Sequence, residues 1–281
     1  MDKRNFLISN NLSGNPNNFP VLEFAYQGPL LKVEKGKINL AITGNVNFKI
    51  KNKLSKKIDG ECYKNYILYE GDEIDIISTN HSVYGYLAVS GGFKLEKYKD
   101  SYSTTIRAEV GANNGNKLNN NDKLYINSYE KNFLNRKIKY MDSKIEYIRI
   151  LKGTNFDYFS DDVIKKFLNE KFLVTKLTDR MGMRLKGPKL DSHKNKNIKS
   201  EGLVKGVVQV PSDGNPIVML SDHGTIGGYP KIAVVISADY DKLVQLSPNT
   251  KIKFKLIELD EAEKIYKFYK METDNLINQI K

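Results

Sequence analysis

The sequence predicts a mainly β protein with two strand-rich regions, a few short helices and a helix at the C-terminus. Three observations carry that expectation. Short apolar runs recur at close spacing, with Gly, Asn or Asp between them. An Asn- and Gly-rich segment, Asn113 to Asp122, divides those runs into an early and a late group and reads as an exposed loop. Helical periodicity is confined to a few places. No internal sequence repeat links the two groups, so their likeness is one of pattern.

The elements follow in order. Lys3 to Leu12 reads as a helix with Phe6, Leu7 and Ile8 apolar, stopped by Gly14 and Pro16. Strands are expected at Leu30–Val33, Ile38–Ile42, Val46–Ile50, Tyr66–Tyr69, Ile74–Ser78 and Tyr84–Val89, then at Leu124–Ile126 and Ile145–Leu151. Ser160 is placed to cap a helix. Asp161 and Asp162 suit its first turn, and Val163, Ile164, Phe167 and Leu168 form its apolar face. Later strands are expected at Phe172–Lys176, Gly182–Leu185, Leu203–Val210, Pro216–Leu220, Ile232–Ile236 and Lys251–Ile257. A short helix over Tyr240–Leu246 takes Asp239 as its N-cap. A polar helix over Asp260–Gln279 carries Ile265, Tyr269 and Leu276 on one face and is expected to pack on its own body.

Composition limits the function. The chain has 281 residues, 40% hydrophobic and 28% charged, as in a globular protein. No run approaches the roughly 20 apolar residues that cross a bilayer, and the N-terminus shows no apolar leader core. A soluble cytoplasmic protein without a membrane partner is expected. The one cysteine, Cys62, rules out an internal disulfide, suits a reducing compartment and has no neighbouring base in sequence. The net charge of +12 invites a nucleic-acid reading, but only six of the 45 basic residues are Arg. The excess Lys sits in runs such as Lys51–Lys57 and Lys186–Lys199, so no nucleic-acid partner is expected.

No phosphate loop, dinucleotide-binding glycine motif, H-E-x-x-H or C-x-x-C occurs. The three histidines, His81, His193 and His223, lack metal-ligand spacing, and no metal is expected. One dense segment remains, Ser200 to Asp239. Apolar strands there are joined by the turn Pro211–Pro216. The second strand runs into Ser221, Asp222, His223, Gly224 and Thr225. Gly227 and Gly228 allow close approach of main-chain N–H groups to a ligand, Tyr229-Pro230 fixes the exit, and Lys231 opens the next strand. Such a loop is either a site on a rigid scaffold or a hairpin that merely bends tightly. Gln209, inside an apolar strand, is either a satisfied core amide or a ligand-facing one.

The runs Asp179 to Pro188 (DRMGMRLKGP), Ser200-Glu201-Gly202, Val208-Gln209-Val210-Pro211 and Gly227 to Ala233 (GGYPKIA) occur in order at the spacing of a known family. The chain resembles the family of 5-oxoprolinase C subunits, allophanate hydrolase subunit 2, the antagonist of a sporulation-kinase inhibitor and the urea amidolyase carboxyltransferase domain. Weaker matches at Asn11 to Asn15, Leu22-Glu23, Gly28-Pro29, Thr43-Gly44 and Ser90 to Phe93 extend it along the chain.

The resemblance implies tandem cyclophilin-like β-barrels, over 1–144 and 145–281, and B and A subunits as partners. It implies ATP-coupled cleavage of 5-oxo-L-proline to L-glutamate, with ATP as cofactor. Asp222, Glu201 and Tyr229 are then the catalytic candidates. Arg180, Gln209, His223, Thr225, Gly227, Gly228 and Lys231 are candidates for binding substrate or nucleotide. Two other functions compete. One is carboxyl transfer from carboxybiotin to a urea-like substrate, and the other is a non-catalytic role as partner of the B subunit. The family pattern begins several tens of residues before the Met-Asp that opens this chain, so its first strand and loop are expected to be absent here. Gly224 and Ile226 stand where relatives often carry Gln and Thr.

Overall fold

Strand outweighs helix, 33% against 22%, as the sequence predicts. The computed structural model describes residues 1–127, 135–140, 146–191 and 198–280. The chain divides into two units: Lys3–Met141 with Thr273–Lys281, and Met1–Asp2 with Asp142–Glu272. His193 and the first residue of the strand expected at Ile145–Leu151 lie outside the described residues.

In the first unit, helix α1 (Lys3–Leu12) precedes β1 (Leu22–Ala25), β2 (Leu30–Lys32), β3 (Lys37–Thr43) and β4 (Val46–Lys51). Strands β5 (Lys57–Asp59), β6 (Lys64–Tyr69), β7 (Glu73–Thr79) and β8 (Tyr84–Val89) follow. They form two four-stranded sheets, ordered β1-β8-β3-β6 and β2-β7-β4-β5. Alternation decides which face goes inward. Val46, Phe48 and Ile50 of β4 are buried while Asn47 and Lys49 are exposed. Leu40, Ile42, Leu87 and Val89 meet Phe48, Ile50, Ile74 and Ile76 in one apolar cluster.

Strand β3 is buried on its other face too. There Ala41 packs with Ile8 and Leu12 of α1. Around this contact the layer is polar and internally bonded. Asn65 Nδ2 donates to Asn39 Oδ1 at 2.7 Å, Asn39 Nδ2 to Ser90 Oγ at 2.8 Å, and Thr43 Oγ1 to the Asn5 carbonyl at 2.8 Å. Helix α1 buries Asn5, Ser9 and Asn10, with Ser9 Oγ donating to the Phe6 carbonyl at 2.8 Å and Asn10 Nδ2 to the Phe19 carbonyl at 3.0 Å, while the expected Phe6 and Leu7 are only half-buried. Two strands escape the sequence reading, β1 and the lysine-flanked β5. The strand expected at Leu124–Ile126 reduces, among the described residues, to one bridge between Phe93 and Ile126. Within the Asn-rich loop, Asn113 and Asn114 adopt left-handed backbone, which Asn tolerates.

The second unit contains β9 (Ile148–Lys152), α2 (Asp161–Asn169), β10 (Phe172–Thr178), β11 (Gly182–Lys186), β12 (Glu201–Gly202), β13 (Val207–Gln209) and β14 (Ile217–Met219). Then come β15 (Ile226–Gly227), β16 (Lys231–Val235), α3 (Ser237–Val244), β17 (Lys251–Ile252), β18 (Phe254–Leu256) and α4 (Leu259–Asn278). Eight strands form one sheet, ordered β17-β10-β11-β14-β13-β16-β9-β18. Its two edge strands are separated in sequence only by Lys253, so the sheet curls into a nearly closed barrel. Strands β12 and β15 form a separate two-stranded ribbon.

Helix α2 starts as expected, with Ser160 Oγ accepting from the Val163 N–H at 3.4 Å. Its Phe167 packs on Phe254 and Phe172, with ring centroids 4.7 and 5.8 Å away. Three expectations need correction. The run Leu203–Val210 is broken at Gly206, whose φ of +88° turns the chain from the ribbon into the barrel. The run Lys251–Ile257 is broken at Lys253, where the chain passes between the barrel's edges. Asp239 does not cap α3. It lies inside the first turn, buried, and its carboxylate accepts from the Arg149 N–H and Nε at 2.9 Å each.

In α4, Ile265 and Tyr269 pack on Ile236, Ala238 and Ile257 of this unit, and Leu276 packs within the α1 cluster of the first. The face chosen from sequence is the packed one. Among the described residues no helix is long and apolar enough to cross a membrane.

Two outcomes follow from this packing. Phe167→Ala empties the centre of an aromatic trio and is expected to cost about 3–5 kcal/mol in chemical denaturation. Burial pushes the Cys62 thiol up to about 11. Cys62 is therefore expected to stay unreactive toward a disulfide reagent at pH 8 until the protein is denatured, as a thiol-titration time course would show.

Candidate functional site

Strand register fixes where each candidate stands. Gly182 pairs with Met219 at one end of β11 and β14, and the Gly206 N–H donates to the Met219 carbonyl there. Gln209 pairs with both Ile217 and Lys231 at the other end of β13. The Met219 row and the row of Ile217, Gln209 and Lys231 therefore lie two residues apart, about 7 Å along the strands. The candidates form two ion-paired groups.

The first group holds Arg180 and Asp222. Arg180 Nε donates to Asp222 Oδ2 at 2.7 Å, and Nη2 to Oδ1 at 3.1 Å, a bidentate pair that fixes both side chains. The backbone supports it, since the Asp222 N–H donates to the Arg180 carbonyl at 2.9 Å. Asp179 Oδ1 accepts from the N–H groups of Met181 and Gly182 and shapes the turn that carries Arg180. Beside the pair, Ser221 Oγ and the Tyr240 hydroxyl lie 3.0 Å apart. Burial pushes the Tyr240 hydroxyl up to about 12, so it stays protonated and able to donate.

The second group centres on Lys231. Its side chain is 4% exposed, and Nζ donates to Glu201 Oε2 at 2.8 Å, while Glu201 is 47% exposed. A buried ammonium needs a partner, and removing that partner typically costs about 3–5 kcal/mol. A sheet irregularity falls between Val208 and Gln209, opposite Ile232, and sets the direction of Lys231. Gln209, 3% exposed, donates through Nε2 to the Tyr229 carbonyl at 3.1 Å. It is thus a satisfied buried amide, and it also stands directly across the ladder from Lys231. A Cβ added to Gly227 would lie 2.6 Å from Gln209 Nε2 and 2.9 Å from Leu203 Cδ1, so this position admits no side chain.

The remaining candidates line the ribbon. Gly227 pairs with Glu201, and the Gly228 carbonyl accepts from the Ile198 N–H at 2.9 Å. Thr225 has an exposed side chain, and its carbonyl accepts from the Leu203 N–H. The His223 ring is turned onto its own loop, with Nδ1 2.6 Å from the Gly224 carbonyl. Tyr229 contributes its carbonyl to Gln209 and is itself 40% exposed. Among the described residues no group of acidic, His and Cys side chains is arranged to hold a metal ion.

Sequence reasoning missed Asn155. This residue is buried after β9. Its Oδ1 accepts from the Lys231 N–H at 3.0 Å, and its own N–H donates to the Lys231 carbonyl at 3.1 Å. It clamps both backbone groups of the lysine. In sequence it is one polar residue in Gly153-Thr154-Asn155, indistinguishable from ordinary turn punctuation. Tyr240 was also missed, because it reads as the apolar face of a helix.

A barrel of short strands with ion-paired loop residues and a glycine-rich ribbon defines the class of fold. Residues 1–256 match the sequence family described as carboxyltransferase domain, subdomain A and B, and the chain belongs to that family. Over 269 residues it is 30% identical to the C subunit of 5-oxoprolinase from Haemophilus influenzae, covering 94% of this chain and 84% of that protein. It is 27% identical to the urea amidolyase of Saccharomyces cerevisiae over 90% of this chain, but over only 15% of that far longer protein. The structure of the Kluyveromyces lactis urea carboxylase superposes with a TM-score of 0.88 at 24% identity, covering 98% of this chain and 26% of that one. This last likeness is one of fold.

The clamp on Lys231 can be tested separately from any activity. Asn155→Ala leaves a buried N–H without its acceptor and is expected to lower stability by about 1–3 kcal/mol. Asn155→Asp keeps the acceptor and is expected to recover part of that loss. Denaturant titration of the two variants beside the parent chain measures both.

Proposed function

We propose that the chain is the C subunit of an ATP-dependent 5-oxoprolinase, cleaving 5-oxo-L-proline to L-glutamate together with B and A subunits in the cytoplasm. The observation that carries the reading is the pair of fixed cations, Arg180 and Lys231, each held by a carboxylate at opposite ends of the same barrel strands. The 30% identity to a protein named as the C subunit of a 5-oxoprolinase supports the same choice.

The chemistry needs such a layout. A lactam is a poor electrophile, and transfer of the γ-phosphoryl group of ATP to its carbonyl oxygen, with ADP and the lactam N–H proton leaving, activates it as a cyclic imidoyl phosphate. Water then adds to the C=N carbon. The ring C–N bond breaks with protonation of nitrogen, leaving an acyl phosphate. A second water releases phosphate and the γ-carboxylate. The phosphorylated lactam carries anionic charge at its carboxylate and at its phosphoryl group. Two cations rising from opposite ends of the same strands suit those two ends. Arg180 meets the phosphoryl end, and Asp222 orients Arg180 and accepts the proton of the attacking water. Tyr229 and the N–H groups of Gly227 and Gly228 face the ring, with His223 and Thr225 on the same loop. ATP is the cofactor in this reading, and the partner subunits complete its site.

Likeness to urea amidolyases favours a second reading, carboxyl transfer from carboxybiotin to a urea-like substrate. The two are separated by assay. Co-expressed with its partner subunits, the chain is expected to support ATP hydrolysis that depends on 5-oxo-L-proline. Asp222→Asn and Arg180→Met are each expected to reduce that turnover by about 10²–10³-fold. Full activity in both variants contradicts the assignment of these residues. Biotin-dependent carboxylation without 5-oxoproline turnover contradicts the proposed reaction.

A further inference from the structure

We propose that Lys231 is the receptor for the carboxylate of a small acidic substrate, and that Glu201 occupies that place until the substrate displaces it. The proposal deepens the reading above and rests on it for the identity of the acid, 5-oxo-L-proline.

The two partners of this ion pair are held very differently. Lys231 is anchored on every side that the backbone offers. It opens β16, which lies between β13 and β9, it faces Gln209 across the ladder, and Asn155 clamps its N–H and its carbonyl. Glu201 sits on a strand of two residues whose one ladder partner among the described residues is β15, outside the barrel sheet. The ribbon's own bonds, Ile198 to Gly228 and Leu203 to Thr225, stay within it. Tilting the ribbon or turning the Glu201 side chain breaks no rung of the barrel. A Cβ on Gly202 would meet nothing within 4 Å, so the chain beside Glu201 is not packed in place.

Solvation points the same way. Lys231 at 4% exposure cannot lose its partner to water, because the bare ammonium would stay buried. Glu201 at 47% exposure loses little on release, because its carboxylate returns to solvent. The cation is therefore permanent and the anion exchangeable, and the group that replaces Glu201 at lowest cost is another carboxylate. Gln209 borders the same place from across the ladder. Its amide is fixed by the bond from Nε2 to the Tyr229 carbonyl and by Gly227, which packs so close that a Cβ would lie 2.6 Å from Nε2. A carboxylate in the place of Glu201 receives a charge-assisted bond from the ammonium that a neutral amide cannot match.

The test uses carboxylate rescue. In the full chain, Glu201→Ala removes the resident anion and leaves the site intact. This variant is expected to melt several degrees below the parent, and sodium acetate or 5-oxo-L-proline is expected to restore the loss. Sodium chloride at equal ionic strength and the carboxamide of 5-oxoproline are expected not to. Without its internal competitor the variant is expected to bind 5-oxo-L-proline about tenfold more tightly than the parent, a gain of about 1.4 kcal/mol. Lys231→Met replaces the buried charge with an apolar chain of similar length, and its melting temperature is expected to respond to none of these additives. Carboxylate rescue that persists in Lys231→Met, or rescue of Glu201→Ala by chloride or inorganic phosphate as effectively as by acetate, overturns the proposal. Acetate rescue in a chain whose assembled complex never turns over 5-oxoproline leaves the carboxylate site standing and removes the substrate assignment. Turnover by the complex without acetate rescue does the reverse.

Discussion

A buried ammonium sets the terms for the second unit of this chain. Lys231 lies at the start of a barrel strand at 4% exposure, and its neighbours are arranged to keep that charge where it is. Glu201 supplies the counter-charge, Asn155 fixes the backbone on both sides, and the sheet irregularity before Gln209 directs the side chain. The requirement reaches further. Glu201 stands over Lys231 on the short ribbon of β12 and β15. That ribbon closes only because Gly227 lies against Gln209 without a side chain. Replacing a buried ion pair by apolar residues is often neutral or stabilising, so stability alone does not call for this arrangement. A binding role gives a reason for it.

The second ion pair is of a different kind. Arg180 and Asp222 are both partly exposed, and their pairing is bidentate, which gives it directional precision. It is built on a turn shaped by Asp179 and on a carbonyl bond from Asp222 to Arg180. One pair thus fixes a charge in the protein interior and the other orients a charge at its surface. The barrel supplies the spacing between them.

Much of this was legible in the sequence. Short apolar runs bounded by Gly, Asn or Asp placed β3, β4, β7 and β8, and the Ser160 cap with its two following Asp residues placed α2, because these signals are local. Motifs in the C-terminal third brought out Arg180, Glu201, Gln209 and Lys231. What sequence could not show was partnership. Gly206 and Lys253 each split an apolar run that looked continuous, because the break depends on which sheet receives each half. Asp239 looked like a helix cap, but Arg149, 90 residues away, claims its carboxylate. In α1 the Asn residues that weaken an amphipathic reading are buried ones, since Thr43 and Tyr63 pair with Asn5, and Phe19 and Asn15 with Asn10. Asn155 carried no signal because its function is to hold the backbone of a residue 76 positions later.

The central claim is that the Glu201–Gly202 and Ile226–Gly227 ribbon covers the place where substrate binds. Amide hydrogen exchange on the assembled complex, with and without 5-oxo-L-proline and ATP, addresses it directly. The account predicts slower exchange at Gly202, Gly227, Gly228 and Lys231 when both ligands are present. Protection confined to the groove between Thr175, Arg184, Lys189 and Asn215, with the ribbon unchanged, would contradict it.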